Sequence, residues 1–383
     1  MEKCFVQKLH APDKAFVHAA ALQDFIVCKK EKKMIPEKMK AIVITQPKQA
    51  EVKTLTTPRP KSGQILVRVQ KVLICTWEQR IFAGIDMPLP FLPGHEIAGT
   101  VAELGPDTDT NLKVGDPVVV KTYDSCGHCE NCFRGLDNLC TGKKSQRNYD
   151  GIPGTGGFAQ YLAIGADRVY PLPGKKTELE IAAFAEPVAC VLNSIDQAEL
   201  EMGEDVVIVG GGIMGQLHNV LAQKKGARTI VVEPDAKRRE KAKACGANEV
   251  IDPITTDPVA EIMKLTNGRG AHVCFFTVNA LQLAEVYLDA LAKRGRMVYY
   301  GSFHPSGSIQ IDPNKIHYSE KRITGAYSPT RKGFWTASRL LGYGLIDVGA
   351  FITERYPMEE CQKAFERASS LETYRVLIDL VAE

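Results

Sequence analysis

Asp205–Gly215 reads DVVIVGGGIMG, and the fold follows from how that stretch is read. Val206–Val209 is a short apolar run of strand type. It enters three consecutive glycines, and Gly210, Gly212 and Gly215 complete G-x-G-x-x-G. From Ile213 to Lys225 the apolar spacing becomes helical. A strand that turns through glycines into a helix N-terminus is a receptor for a pyrophosphate. The first glycine permits the tight turn, the second lets the backbone approach the phosphates, and the third lets helix and strand pack closely. The helix dipole favours the negative charge. Gly210, Gly212, Ile213, Met214 and Gly215 are therefore the candidate dinucleotide-binding residues. A glycine turn without a ligand is the competing reading, and the order strand, glycines, helix weighs against it.

Outward from this turn, strand-like and helix-like runs alternate. Thr229–Glu233 is followed by a helix over 235–245, Glu249–Ile251 by one over 258–266, and His272–Phe276 by one over 281–292, before Met297–Gly301. That alternation predicts an α/β doubly wound parallel sheet, a Rossmann domain over 189–327. Glu233 closes the second strand of the unit. An acid there accepts hydrogen bonds from ribose hydroxyls and repels a 2′-phosphate, which favours NAD over NADP. Lys237, Arg238 and Arg239 follow it. They read as a solvated first helical turn, with Arg238 the candidate cofactor contact among them.

The 383 residues are too many for one core and imply two domains. Composition is 44% hydrophobic and 24% charged with a net charge of +3, which points to neither a nucleic-acid nor a membrane partner. From Met39 to about Leu172, short β-branched runs stand between Gly, Pro and Asp turns, as in a compact β-barrel-like domain. After Tyr327 the mixed elements suggest that the chain returns to this first domain. The domain plan is thus an N-terminal arm at 1–38, a β-rich domain at 39–188 and 328–383, and the Rossmann domain between them. The arm lacks the uninterrupted apolar core of a signal peptide and carries too many acids for a transit peptide. Met39, opening MKAIVI, reads as an alternative start of the working protein.

Four of the eleven cysteines, Cys126, Cys129, Cys132 and Cys140, form C-x2-C-x2-C-x7-C. Four thiolates at this density suit a closed tetrahedral zinc site of structural type. The bacterial ferredoxin run has three residues before its fourth cysteine and then proline, whereas this chain has seven and then Thr141. Such chemistry belongs in a reducing compartment, so a cytoplasmic location is expected. Elsewhere, Cys75 ends the run KVLIC, His95 and Glu96 sit in LPGHE, and Glu186 sits in FAEPVAC. Singly, each reads as a core or solvated residue. Together, a thiolate, an imidazole and a carboxylate make the three-ligand, open zinc site that catalysis uses; spacing alone does not establish it.

From Met39 onward the chain resembles the zinc-dependent medium-chain dehydrogenase/reductase family. The resemblance rests on the Cys75 segment, GHE at Gly94–Glu96, the four-cysteine lobe and GGGIMG, in that order. Glu186–Pro187 is similar to the polyol branch, which includes sorbitol, butanediol and threonine dehydrogenases. The resemblance implies a GroES-like β-rich catalytic domain, two zinc ions per chain and a homodimer or homotetramer. It also implies Cys75, His95, Glu96 and Glu186 as the catalytic-zinc residues. The implied reaction interconverts a secondary alcohol and a ketone by hydride transfer to or from NAD. The substrate would be a polyol, sugar alcohol, sugar phosphate or cyclitol.

One departure matters. The family usually reads Cys-Gly-Ser/Thr-Asp-x-His at the first ligand, and the hydroxyl relays the alcohol proton. Here Cys75-Thr76-Trp77-Glu78-Gln79-Arg80 stands instead. Thr76, one position early, or a water on Glu78 are the substitutes for that relay, and Trp77 is a candidate pocket wall. Glu78 and Arg80 favour a polar, hydroxyl-rich substrate. Two other readings stay open: a zinc- and nucleotide-binding protein with weak or no dehydrogenase activity, and an aldehyde or enone reductase of the same fold.

Overall fold

In the computed structural model the described residues are 34–142, 147–174 and 178–381. The expected arm falls outside them up to residue 33. The chain opens with strands β1 (Lys38–Gln46), β2 (Gln49–Thr56) and β3 (Gln64–Leu73), helix α1 (Thr76–Phe82), then β4 (Glu96–Leu104) and β5 (Pro117–Val120). The cysteine lobe carries the single-turn helix α2 (Glu130–Phe133). Strands β6 (Arg147–Tyr149), β7 (Ile152–Gly154), β8 (Tyr161–Gly165) and β9 (Val169–Pro171) follow, then helices α3 (Leu179–Ala182) and α4 (Ala185–Gln197). β1 and β2 form a hairpin. Strands β3, β4, β5, β8 and β9 build a mixed sheet that the C-terminal strands complete.

The nucleotide half is β10 (Asp205–Val209), α5 (Ile213–Lys224), β11 (Arg228–Val232), α6 (Ala236–Ala244), β12 (Glu249–Ile251), α7 (Pro258–Leu265), β13 (Ala271–Phe276), β14 (Leu291–Tyr299), α8 (Pro313–His317) and β15 (Arg322–Gly325). All six strands are parallel, in the order β12-β11-β10-β13-β14-β15. That is the doubly wound order, with the glycine turn at the point where it reverses. Every residue of β10 is buried. Val206 and Ile208 enter one core, Val207 and Val209 the core on the opposite face. A strand covered on both faces reads as a continuous apolar run, which is why DVVIV shows no alternation.

The chain then returns as α9 (Arg331–Gly342), β16 (Ile352–Pro357), α10 (Cys361–Ala368) and β17 (Arg375–Asp379). β17 pairs antiparallel with β3 and parallel with β16, and so joins the mixed sheet. The expected division at 188/189 falls inside α4, whose apolar side lies in the core shared by both halves.

The helix expected over 281–292 does not form. Leu281–Leu283 and Val286–Leu288 are separate 3₁₀ turns, and Leu291 already belongs to β14, paired with Ala271. Leu288, Ala290, Leu291 and Ala292 are all buried there. The apolar spacing imitated a helix, but burial on the sheet face won over local propensity.

Candidate metal and dinucleotide sites

The glycine turn has the geometry its sequence requires. Gly210 lies at φ +103°, in the region that favours glycine. A side chain on Gly215 would put its Cβ 1.9 Å from the Gly210 carbonyl oxygen, so this glycine sets the approach of α5 to β10. Gly212 is the N-cap of α5 and offers no side chain to the first N–H groups at Ile213 and Met214. Those donors are left for a ligand. Glu233 follows β11 and is buried. Its two carboxylate oxygens accept the N–H of Gly211 at 2.6 Å and of Asp235 at 2.9 Å. The Arg238 guanidinium donates to the Leu371 carbonyl at 2.6 Å and lies 6.0 Å from the Tyr374 ring centre. It borders an open cleft of about 900 Å3 between the first turn of α6 and Leu371–Tyr374, with Lys237, Lys241 and Arg367 along it.

The four lobe sulfurs lie within 4.8 Å of one another, with Cys126–Cys132 at 4.0 Å and Cys129–Cys140 at 3.9 Å. A tetrahedron with Zn–S bonds of about 2.3 Å has edges of about 3.8 Å, so the sulfurs fit zinc. Backbone N–H groups of Cys132 and Thr141 pull the Cys129 thiol down to about 5, and those of Cys126 and Gly142 lower Cys140. A Cβ on Gly142 would sit 2.5 Å from the Cys126 sulfur. The lobe docks through Asp137, which meets Lys121 at 2.9 Å and the Arg331 N–H at 3.0 Å, and through Asn138, which donates to the Tyr327 carbonyl at 2.8 Å.

The second cluster is assembled by strand register. β3 pairs with β4 so that Leu73 faces Glu96, and with β17 so that Leu73 faces Leu377. Continuing that second register by two residues sets Arg375 opposite Cys75. Both Glu96 oxygens receive Arg375, at 2.7 and 2.9 Å, and the guanidinium lies 3.6 Å from the Cys75 sulfur. Cys75 is also the N-cap of α1, and Glu78 returns a carboxylate oxygen to its N–H at 3.1 Å. The other Glu78 oxygen takes the Gly94 N–H and, at 2.6 Å, the His95 Nδ1. With Nδ1–H donated to Glu78, Nε2 is the His95 nitrogen on the Glu186 side, 3.9 Å from a carboxylate oxygen. Glu186 lies in the first turn of α4, and its other oxygen accepts from the Cys190 thiol at 3.3 Å.

The cluster suits a divalent cation. Glu78, Glu96 and Glu186 are all buried, and one guanidinium, Arg375, faces them. Burial, with Glu96 adding, pushes Glu186 up to about 7, and burial raises the Cys75 thiol. Both shifts come first from burial of the anion, which His95 and Arg375 offset only in part. Burial, the largest single influence, lowers His95, but Glu78, Tyr123 and Cys75 together raise it well above its ordinary value. Ligand atoms of Cys75, Glu78 and His95 lie within 4.8 Å of one another, as do those of His95, Glu96 and Glu186. Glu96 is thus near the centre but committed to Arg375.

Tyr123 and Arg375 were not named from the sequence, and the residues around Cys75 take places of their own. Glu78 orients His95 from a fully buried position and does not face the cleft. Trp77 stands edge-on to His95 at 5.5 Å and to Phe91 at 6.0 Å, as a wall. Tyr123 packs 5.7 Å from the His95 ring. Arg375 had one weak signal in the sequence, a lone cation at the start of the apolar run RVLID. Thr76 is exposed.

With this geometry in place, comparison with known proteins is decisive. Residues 61–174 match the Alcohol dehydrogenase GroES-like domain and residues 214–341 the Zinc-binding dehydrogenase domain. An L-threonine 3-dehydrogenase of Pyrococcus furiosus is 33% identical over 90% of this chain and 99% of its own. The chain belongs to the zinc-dependent medium-chain alcohol dehydrogenase family, in its polyol branch. A sorbitol dehydrogenase of Bacillus subtilis is 29% identical over 87% of this chain and 94% of its own. Among solved structures, a Sinorhizobium meliloti 1021 protein described as a candidate zinc-binding dehydrogenase, bound to NADP, superposes with a TM-score of 0.81 at 26% identity. It covers 90% of this chain and all of that one. The family carries zinc and a nicotinamide cofactor and acts on alcohols. No helix among the described residues is long and apolar enough to cross a membrane.

Proposed function

We propose that this family member interconverts a secondary alcohol and a ketone on a polar, hydroxylated substrate: a polyol, sugar alcohol, sugar phosphate or cyclitol. NAD is the cofactor. The observation that carries the reading is the cation-short cluster of Cys75, His95 and Glu186 at the carboxyl edge of the nucleotide sheet. Tyr300, just past β14, is on that edge. Burial raises its phenol well above the ordinary value, and charges at Cys190, Glu186 and Cys75 add to the shift.

Bound there, zinc supplies Lewis acidity toward the substrate oxygen and NAD the hydride acceptor. Glu78 holds His95 in the tautomer that frees Nε2. Arg375 holds Glu96 in place, and Glu186 sits on the Nε2 side of the imidazole as the exchangeable carboxylate. Trp77 and Tyr123 exclude water from the imidazole. Thr76 opens α1 next to Cys75 and takes the proton-relay role that Trp77 cannot fill. The four-cysteine lobe holds a second, structural zinc. Glu233 favours NAD, and the cations around Arg238 line the adenosine end. Assembly as a homodimer or homotetramer belongs to the same reading.

A zinc count with an NAD-linked screen over polyols, sugar phosphates, inositols and threonine tests this. Two zincs per chain with turnover on one of these classes support it. One zinc and no turnover make the chain a binding protein, the reading that Trp77 at the relay position favours. A Michaelis constant for NADP at or below that for NAD would overturn the cofactor choice. Thr76→Val should cut turnover while leaving the zinc content intact.

A further inference from the structure

Arg80 bridges the two halves of the molecule. It lies one helical turn beyond Thr76 on α1, and residues four apart share a helix face. Its NH1 lies 3.3 Å from the Nε2 of His304, in the loop that follows β14. Its Nε meets Asp86 at 2.6 Å, so the fork is fixed at one edge. His304 is itself braced: its N–H donates to the Asn279 side-chain oxygen at 3.0 Å, and its carbonyl accepts from the Asn279 amide at 2.9 Å. Asn279 belongs to the loop after β13. The Arg80 contact therefore stands over the carboxyl edge of the nucleotide sheet, on the face of α1 that begins at the metal-cluster cysteine.

The chemistry of this pair is that of an anion reader. An arginine always donates, so at this contact His304 Nε2 accepts and the ring proton is on Nδ1. A guanidinium has five N–H donors, and Asp86 and His304 are the two partners of Arg80 among the described residues. The remaining donors suit a planar or tetrahedral oxyanion in charge-assisted bonds. The Arg80 side chain is 30% exposed, with Asp86 beneath it at 18%, so the carboxylate orients the fork and the cation is offered outward. The other charged side chain of α1, Glu78, is spent on His95, Cys75 and Gly94. Arg80 is thus the charged group of this helix left to face outward.

We infer that Arg80, steadied by Asp86 and His304, reads an anionic group on the substrate, a carboxylate or phosphate, so that hydroxy acids or alcohol phosphates are preferred over neutral polyols. This rests on the dehydrogenase reading above and narrows its substrate class.

Matched pairs test it on the zinc-loaded full chain with NAD: glycerol against glycerol 3-phosphate, and 2,3-butanediol against 3-hydroxybutyrate and L-threonine. Wild type should favour the charged member of at least one pair, and which pair separates phosphate from carboxylate. Arg80→Gln should lower the ratio of kcat/KM, charged over neutral, by about tenfold or more, mainly through KM. Arg80→Lys should recover part of that loss. An unchanged ratio overturns the inference. So does a loss confined to the KM for NAD, which would place Arg80 on the cofactor pyrophosphate. If wild type turns over none of these alcohols and no member of the wider screen above, the dehydrogenase reading has failed. Calorimetry with inorganic phosphate and acetate on the zinc–NAD protein then decides the anion site separately. Binding weakened about tenfold by Arg80→Gln supports it, and no binding, or binding indifferent to Arg80, overturns it.

Discussion

Two cysteine-bearing clusters sit in one chain and are built in opposite ways. The lobe of Cys126, Cys129, Cys132 and Cys140 is contiguous, partly exposed and held by its own backbone N–H groups. The second cluster joins two groups through His95, one with Cys75 and Glu78 and one with Glu96 and Glu186; it draws on three distant segments, and its acids are buried. On the proposed reading, a metal would give the first, an otherwise coreless loop, its fixed shape. The second is already shaped by two strand registers and two carboxylate contacts, and on the proposed reading a metal would add positive charge among its buried acids. A contiguous site shows in spacing; an assembled one shows in its unbalanced electrostatics.

The contrast can be broken most severely at Arg375. Arg375→Met leaves Glu96 buried without its counter-charge and should cost about 3–5 kcal/mol, read as a lowered urea midpoint. A loss below about 1 kcal/mol would show that Glu96 has another partner. A buried group beside the glycine turn should also titrate. His218 is fully buried behind the glycine turn, donates from Nδ1 to the Met214 carbonyl, and meets the Ser194 hydroxyl at Nε2. Burial holds it down to about 4 from 6.5. Above pH 6.5 it is neutral in both states and contributes no pH dependence. Below that, only the unfolded chain gains the proton, so stability falls by about 3 kcal/mol as pH drops to 4, then levels. Urea titrations at pH 7.5 and 4.5 should show His218→Gln losing less than wild type; equal losses would contradict this.

Smaller effects separate the clusters from each other. Glu78→Gln weakens the partner that orients His95, and should lower metal affinity at that centre about 10–100-fold, measured by chelator competition, with the lobe metal retained. Gly142→Ala does the reverse. Its Cβ meets the Cys126 sulfur, so the lobe should lose metal and about 1–3 kcal/mol of stability while the Cys75 centre keeps its own. Loss of both metals in either variant would mean the two sites are coupled.

Legibility follows the same division. The glycine turn, the lobe spacing and the alternation through β10 to β13 were readable because each depends on neighbours in the chain. The run 281–292 misled because Leu281 to Ala292 carries helical apolar spacing on residues that the sheet buries as turns and strand. Cys75, His95 and Glu186 were recognisable as a set through family resemblance, but Glu78 was placed on the substrate side and Arg375 was not singled out. Neither role has a signature in spacing, since a buried ion pair between residues 279 apart leaves no local trace.

The sequence by itself determined the glycine turn, the clustering of the four lobe cysteines and the α/β order, because backbone hydrogen bonding, glycine freedom and residue spacing act over a few residues. Only the tertiary structure decided which charges balance in the cleft. The register of β3 against β4 and β17 brings Cys75, Glu96 and Arg375 together. The closure of the two halves sets Arg80 against His304. Charge balance depends on burial and distance, and both are properties of the folded chain.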